Sequence, residues 1–204
     1  MTSGEFFGIL KDIILSGAAI TTAYVAYTGL GKWQKELAGK TGFEAAKALT
    51  KSTYKLRNEL QDCRSPFTRA SEFPEEYNKN RGKHTAEESG QAWAHVYKRR
   101  WEPVSEALRE FDGAVLEAEA LWGNPITEGA TELRRCVAQL LGAIEDHIEN
   151  AFSGGEDFKD KEHAKSTKAK IWASSNEKDN ELSRSIAQAI EKIEKQLLPH
   201  LVRS

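Results

Sequence analysis

Residues 93–122, WAHVYKRRWEPVSEALREFDGAVLEAEALW, decide the fold. Their large apolar positions are Trp93, Tyr97, Trp101, Val104, Leu108, Phe111, Val115, Ala118 and Trp122. The steps are 4 or 3 throughout. That spacing lays one apolar stripe along an α-helix, whereas a strand would need a period of 2. Thr85 and Glu88 stand three apart just upstream, the spacing of a capping box that starts such a helix. Pro103 lies inside the pattern, so a kink or a split is expected at Trp101–Glu102. Gly123-Asn124-Pro125 then supplies a C′ glycine, an N-cap and a first-turn proline, which should fold the next helix back antiparallel.

Working outward, the same signal recurs. Leu133, Val137, Leu140, Ile144, Ile148 and Ala151 form a stripe that stops at Ser153-Gly154-Gly155. Leu182, Ile186, Ile190, Ile193 and Leu197 form another, ending near Pro199. Upstream, Leu49, Leu56, Leu60, Cys63 and Phe67 give a fourth stripe, closed by Ser65-Pro66. Residues 68–84 read as a polar loop. Glu156–Asn180 is strongly charged, with Phe158, Ile171 and Trp172 as isolated apolar residues, and is expected to be partly helical and exposed. No alternating runs suggest strands. The expected fold is therefore all-α, with an antiparallel four-helix-type bundle as the simplest way to bury four stripes together.

The N-terminus reads differently. From Ile13 to Gly31 the 19 residues IILSGAAITTAYVAYTGLG carry no charge, close to the roughly 20 that span a bilayer. Tyr24, Tyr27 and Trp33 sit where interfacial aromatics belong, and Lys32 and Lys35 follow as basic anchors. The preceding flank has Glu5, Lys11 and Asp12, so the charge bias places the N-terminus outside and the bulk of the chain in the cytoplasm. Ala18, Thr22 and Ala26 form a small-xxx-small row suited to helix packing in lipid. Two other readings stand beside the anchor. A cleaved signal peptide lacks its basic start here. A helix buried in a soluble oligomer is suggested by the 4-3 spacing of Phe6, Leu10, Ile13, Gly17, Ile20, Tyr24 and Tyr27. Ala38 to Gly42 marks either a break, with Thr41 and Glu44 capping a new helix, or the middle of one continuous helix. The organisation expected is thus an anchor over residues 1–38 and a helical cytoplasmic domain over 39–204, its charged segment at about 154–180 exposed.

Chemical motifs are scarce. The formal net charge of −2 gives no reason to expect nucleic acid as a partner. Cys63 and Cys136 lack CxxC spacing and read as packed thiols. Phosphate-loop, dinucleotide-binding, nucleophile-elbow and His-Glu-x-x-His patterns are all missing. Glu145, Asp146, His147 and Glu149 could hold a cation, but late in a helix they read as a solvated face. Lys98-Arg99-Arg100 point around a helix rather than to one side. Lys32, Lys35, Lys40, Lys47, Lys51, Lys55, Arg57 and Arg64 make a basic run that reads as a membrane-facing or partner-facing element, or as an ordinary solvated helix face.

The runs GKTGFEAAKALTKSTYKLRNELQDCRSPF (39–67), WEPVSEALREFDGAVLEAEALWG (101–123) and the closing KIEKQLLPHL, in that order after an apolar N-terminal helix, resemble a family of uncharacterised bacterial proteins with one N-terminal transmembrane helix and a helical cytoplasmic domain. The resemblance implies a single-pass protein of the bacterial inner membrane and carries no activity, cofactor or site. Together these readings point to a non-enzymatic, membrane-tethered scaffold or adaptor. It would have no catalytic set, cofactor or metal, and its partners would be the bilayer and a cytoplasmic protein, with pairing between its own copies open. The alternatives are a self-associating membrane effector in a stress or phage response, and a metal-binding or enzymatic bundle.

Overall fold

The computed structural model describes residues 3–79, 83–173 and 180–201, with the side chains at 3–20, 23, 125 and 157 outside the description. Its helices are α1 (Ser3–Cys63), α2 (Glu75–Lys79), α3 (Ala86–Trp122), α4 (Thr127–Phe152), α5 (Lys161–Ile171) and α6 (Glu181–Leu201). Single 3-10 turns lie at Ala70–Glu72, Asn124–Ile126 and Asp157–Lys159. No strand occurs among the described residues. The chain divides into two compact units, Met1–Glu44 and Ala45–Ser204.

The second unit is an antiparallel bundle of the C-terminal part of α1 with α3, α4 and α6. Cross-links between helices set their directions. Tyr54 reaches Glu194 while Arg64 reaches Ser183, so α1 and α6 run oppositely. Lys55 meets Glu110 while Arg100 meets the Ser65 carbonyl, so α1 and α3 do too. Asp112 pairs with Arg134 and Trp93 touches His147, which makes α3 and α4 antiparallel. Trp122 stacks on His200 at the ends of α3 and α6. Leu49, Leu56, Leu60, Val104, Phe111, Leu133, Leu140, Ile193 and Leu197 close the core, each at 1% exposure or less. On the order of 2 kcal/mol per such side chain holds the bundle together. At Gly129 α4 comes so near α6 that an added Cβ would fall 2.9 Å from Ile193 Cγ1.

Local signals act where the spacing placed them. The Thr85 hydroxyl accepts from the Glu88 amide and the Glu88 carboxylate accepts from the Thr85 amide, the reciprocal capping box. Gly123 ends α3 at φ +76°, a conformation costly for residues with a Cβ. Pro103 does not split α3. It sits on the exposed face, where water can take the carbonyl its missing N–H leaves free.

Several expectations are corrected. Among the described residues no helix is long and apolar enough to cross a membrane, which overturns the transmembrane helix, the single-pass topology and the inner-membrane placement. The run at residues 13–31 is diluted by Gly17, Thr21, Thr22, Tyr24 and Tyr27, and a lack of charge is a weaker condition than sustained apolarity. Residues 38–42 are no break, since α1 continues through them. In the segment read as exposed, Thr167, Ile171 and Asn180 are buried, and Trp172 packs on the core. The 68–84 stretch contains a 3-10 turn and α2 rather than loop alone.

Arg64 belongs to no solvated face either. It is 2% exposed and donates to the Lys170 and Ala169 carbonyls, Asn180 Oδ1 and Ser183 Oγ. The last carbonyls of α5 have no partners within their own helix and sit at the negative end of its dipole. One guanidinium thereby ties the end of α1 to the end of α5 and the start of α6. The Ala173 amide returns a bond to the Arg64 carbonyl at 2.9 Å.

Candidate interaction face and buried aromatic centre

Within the first unit, the described part of α1 exposes a row of large apolar side chains. Tyr24, Val25, Tyr27, Leu30, Trp33 and Leu37 are 49–81% exposed. At 3.6 residues per turn, Ala26, Leu30, Trp33 and Leu37 share an arc of about 60°. Their steps of 4, 3 and 4 are those of a coiled-coil seam. Lys32 and Lys35, also exposed, fall on the other side of the helix. Thr22 and Ala26, from the small-residue row, are exposed, while the side chain of Ala18 lies outside the description. Of the residues singled out with Trp33, Tyr24 and Tyr27 are exposed away from this arc, as are Lys32 and Lys35.

In the second unit the structure assembles a centre that sequence reading missed. His147 on α4 is enclosed by aromatic rings from three other elements. Trp93 and Tyr97 of α3 meet it edge-on, with ring centroids 4.9 and 5.8 Å away. Phe158 lies at 6.3 Å and Trp172, just past α5, at 6.5 Å. Both ring nitrogens of His147 are buried with no hydrogen-bond partner. The Tyr97 hydroxyl, beside the Trp172 indole but outside hydrogen-bond geometry, is buried and unpaired as well. Leaving such a group unpaired costs about 1–3 kcal/mol, so three together in one place are unusual. Burial pushes the Tyr97 phenol up to about 12. Burial first, and Lys168 second, hold His147 below the usual imidazole value.

The acidic cluster around His147 does not converge. Glu145 and Glu149 are exposed, and Asp146 lies 4.0 Å from His163 Nε2 on α5. Among the described residues no group of three metal-ligating side chains comes together. Cys63 and Cys136 are both free and buried, and burial pushes the Cys63 thiol up to about 11, far from a reactive thiolate. A cleft of about 230 Å³ between α1 and α6 is lined by Arg57, Leu60, Arg64, Ile186, Ile190 and Glu194. Its polar groups are largely engaged: Glu194 takes the Tyr54 hydroxyl, and Arg64 is the interior tie described above.

Part of the aromatic centre was visible as Trp93 and Tyr97 on the α3 stripe. The enclosure was not, because Phe158 and Trp172 sit in a segment whose composition suggests solvent.

No family model, characterised protein or solved structure matches this chain. The resemblance to bacterial proteins with one N-terminal membrane helix is thereby overturned. The features that suggested it, amphipathic spacing with capping signals after an uncharged run, are demands of helix formation that unrelated chains share.

Proposed function

We propose that the protein is a non-enzymatic helical scaffold that pairs with a second copy of itself through Ala26, Leu30, Trp33 and Leu37 of α1, leaving the Ala45–Ser204 bundle available to a protein partner. The observation that carries this reading is the exposed apolar row from Ala26 to Leu37, with Lys32 and Lys35 turned away from it. A narrow stripe of this kind suits one more helix rather than a broad core. With Leu30 and Leu37 as a positions and Ala26 and Trp33 as d positions, Lys32 and Lys35 fall at the outer c and f positions. In a parallel pair Gly29 and Glu36 stand at g against Gln34 and Thr41 at e of the other copy, so no like charges meet between Ala26 and Leu37, and Lys40 at the next d position ends the apolar seam. Each buried leucine contributes about 2 kcal/mol, and the tryptophan more.

Sedimentation velocity of the full chain tests this at about 100 µM, where an association stronger than roughly −5.5 kcal/mol is populated. The wild type should sediment as a concentration-dependent dimer, and Leu30→Glu with Trp33→Glu as a monomer with an unchanged bundle melt. A monomeric wild type, or a double variant that associates like the wild type, would overturn the proposal.

A further inference from the structure

The aromatic centre is built from two kinds of wall. Trp93 and Tyr97 belong to α3, a long core helix of the bundle. Phe158 and Trp172 bracket α5, a short helix whose first turn is capped by Asp160, accepting from the Glu162 and His163 amides. The second wall is therefore a strap laid over His147.

We propose that residues 157–172 are an acid-released cover: when His147 takes a proton, Phe158 and Trp172 lift away and expose the aromatic face of α3 and α4. The geometry supplies the reason. An imidazolium has two N–H donors that need partners, and the enclosure presents ring faces, ring edges and the one Tyr97 hydroxyl, with neither nitrogen bonded now. Opening the strap gives both donors access to solvent.

The charged groups around the site do not relieve this. From α5, Lys168 opposes a second positive charge. His163, on the far side of Phe158, faces Asp146. From the turn before α5, Lys159 is paired with Glu156. From α3 the facing titratable group is the Tyr97 phenol, neutral across this range. On α4 itself, Glu145 and Glu149 are exposed. Because the closed state holds the imidazole below its usual value, it binds fewer protons than the open one. Its stabilisation is complete above the free-imidazole pKa of about 6.5 and is lost as pH falls from there through the lowered value. This device is independent of pairing through α1.

Hydrogen exchange of the full chain at a series of pH values, corrected for intrinsic rates, tests it. Below about pH 6.5, amides of residues 161–172 should exchange faster, by up to tenfold for each pH unit. Amides of Leu133–Leu140 in the core should stay protected. His147→Phe should remove the acid step and His163→Asn should keep it. A flat wild-type profile, or a step that persists in His147→Phe, would overturn the proposal. Should His147→Phe lack a cooperative melt, the wild-type His147 ring is followed by NMR instead. Titration of the ring together with strap exchange supports the cover. Titration near pH 6.5 with the strap still protected overturns it.

Discussion

Residues 21–44 and 45–63 belong to one continuous helix and treat their apolar side chains in opposite ways. In the first stretch Leu30, Trp33 and Leu37 are 49–59% exposed, while in the second Leu49, Leu56 and Leu60 are at most 1% exposed. Both stretches carry helical spacing and similar residue types. The lesson is that periodicity selects a face, and the availability of a neighbouring helix decides whether that face is buried. In the second stretch α3 and α6 supply the cover. In the first, the proposed cover is another copy.

The contrast can be broken most directly by truncation. Leu60→Ala should cost about 2–5 kcal/mol, seen as a lower denaturant midpoint at unchanged slope. A next test concerns charge. Arg64→Leu takes the donor from the Lys170 carbonyl, worth about 1–3 kcal/mol, while Asn180 Nδ2 still serves Ala169, and it should loosen residues 161–173 first in hydrogen exchange. Lys51→Leu, exposed on the same helix, should leave that exchange unchanged. Equal effects would mean that Arg64 is no interior tie. Smaller again, Thr85→Ala should lower stability by about 1 kcal/mol through loss of the cap on α3, measured by the same unfolding curve. Smallest of all, Leu37→Ala should change the bundle's melt by no more than about 0.5 kcal/mol. A loss there as large as for Leu60→Ala would erase the distinction between the two stretches.

The helical elements were largely legible before the fold was seen, because their signals are local. The Thr85–Glu88 box, the Gly123 stop and the stripes at 104–118 and 133–144 depend only on neighbours a few positions away. Two kinds of feature were not legible. Arg64 sits in a basic run and reads as surface, since nothing nearby in sequence announces that the α5 carbonyls and Asn180 will surround it. The His147 enclosure joins residues from four elements, two of them in a charged segment. The N-terminal run misled for a different reason. An uncharged stretch with flanking aromatics meets the outline of a membrane helix, yet its glycines, threonines and tyrosines leave it short of the required apolarity.

By itself, then, the sequence determined that this chain is helical, where most of its helices begin and end, and which face of each is apolar. These follow from backbone hydrogen bonding and side-chain spacing within a few turns. Only the tertiary structure decided which apolar face is covered, that Arg64 is an interior tie, and that His147 lies unpaired among four aromatic rings. Those outcomes depend on burial and on partners distant in sequence, where the cost of an unsatisfied group is set by everything packed around it.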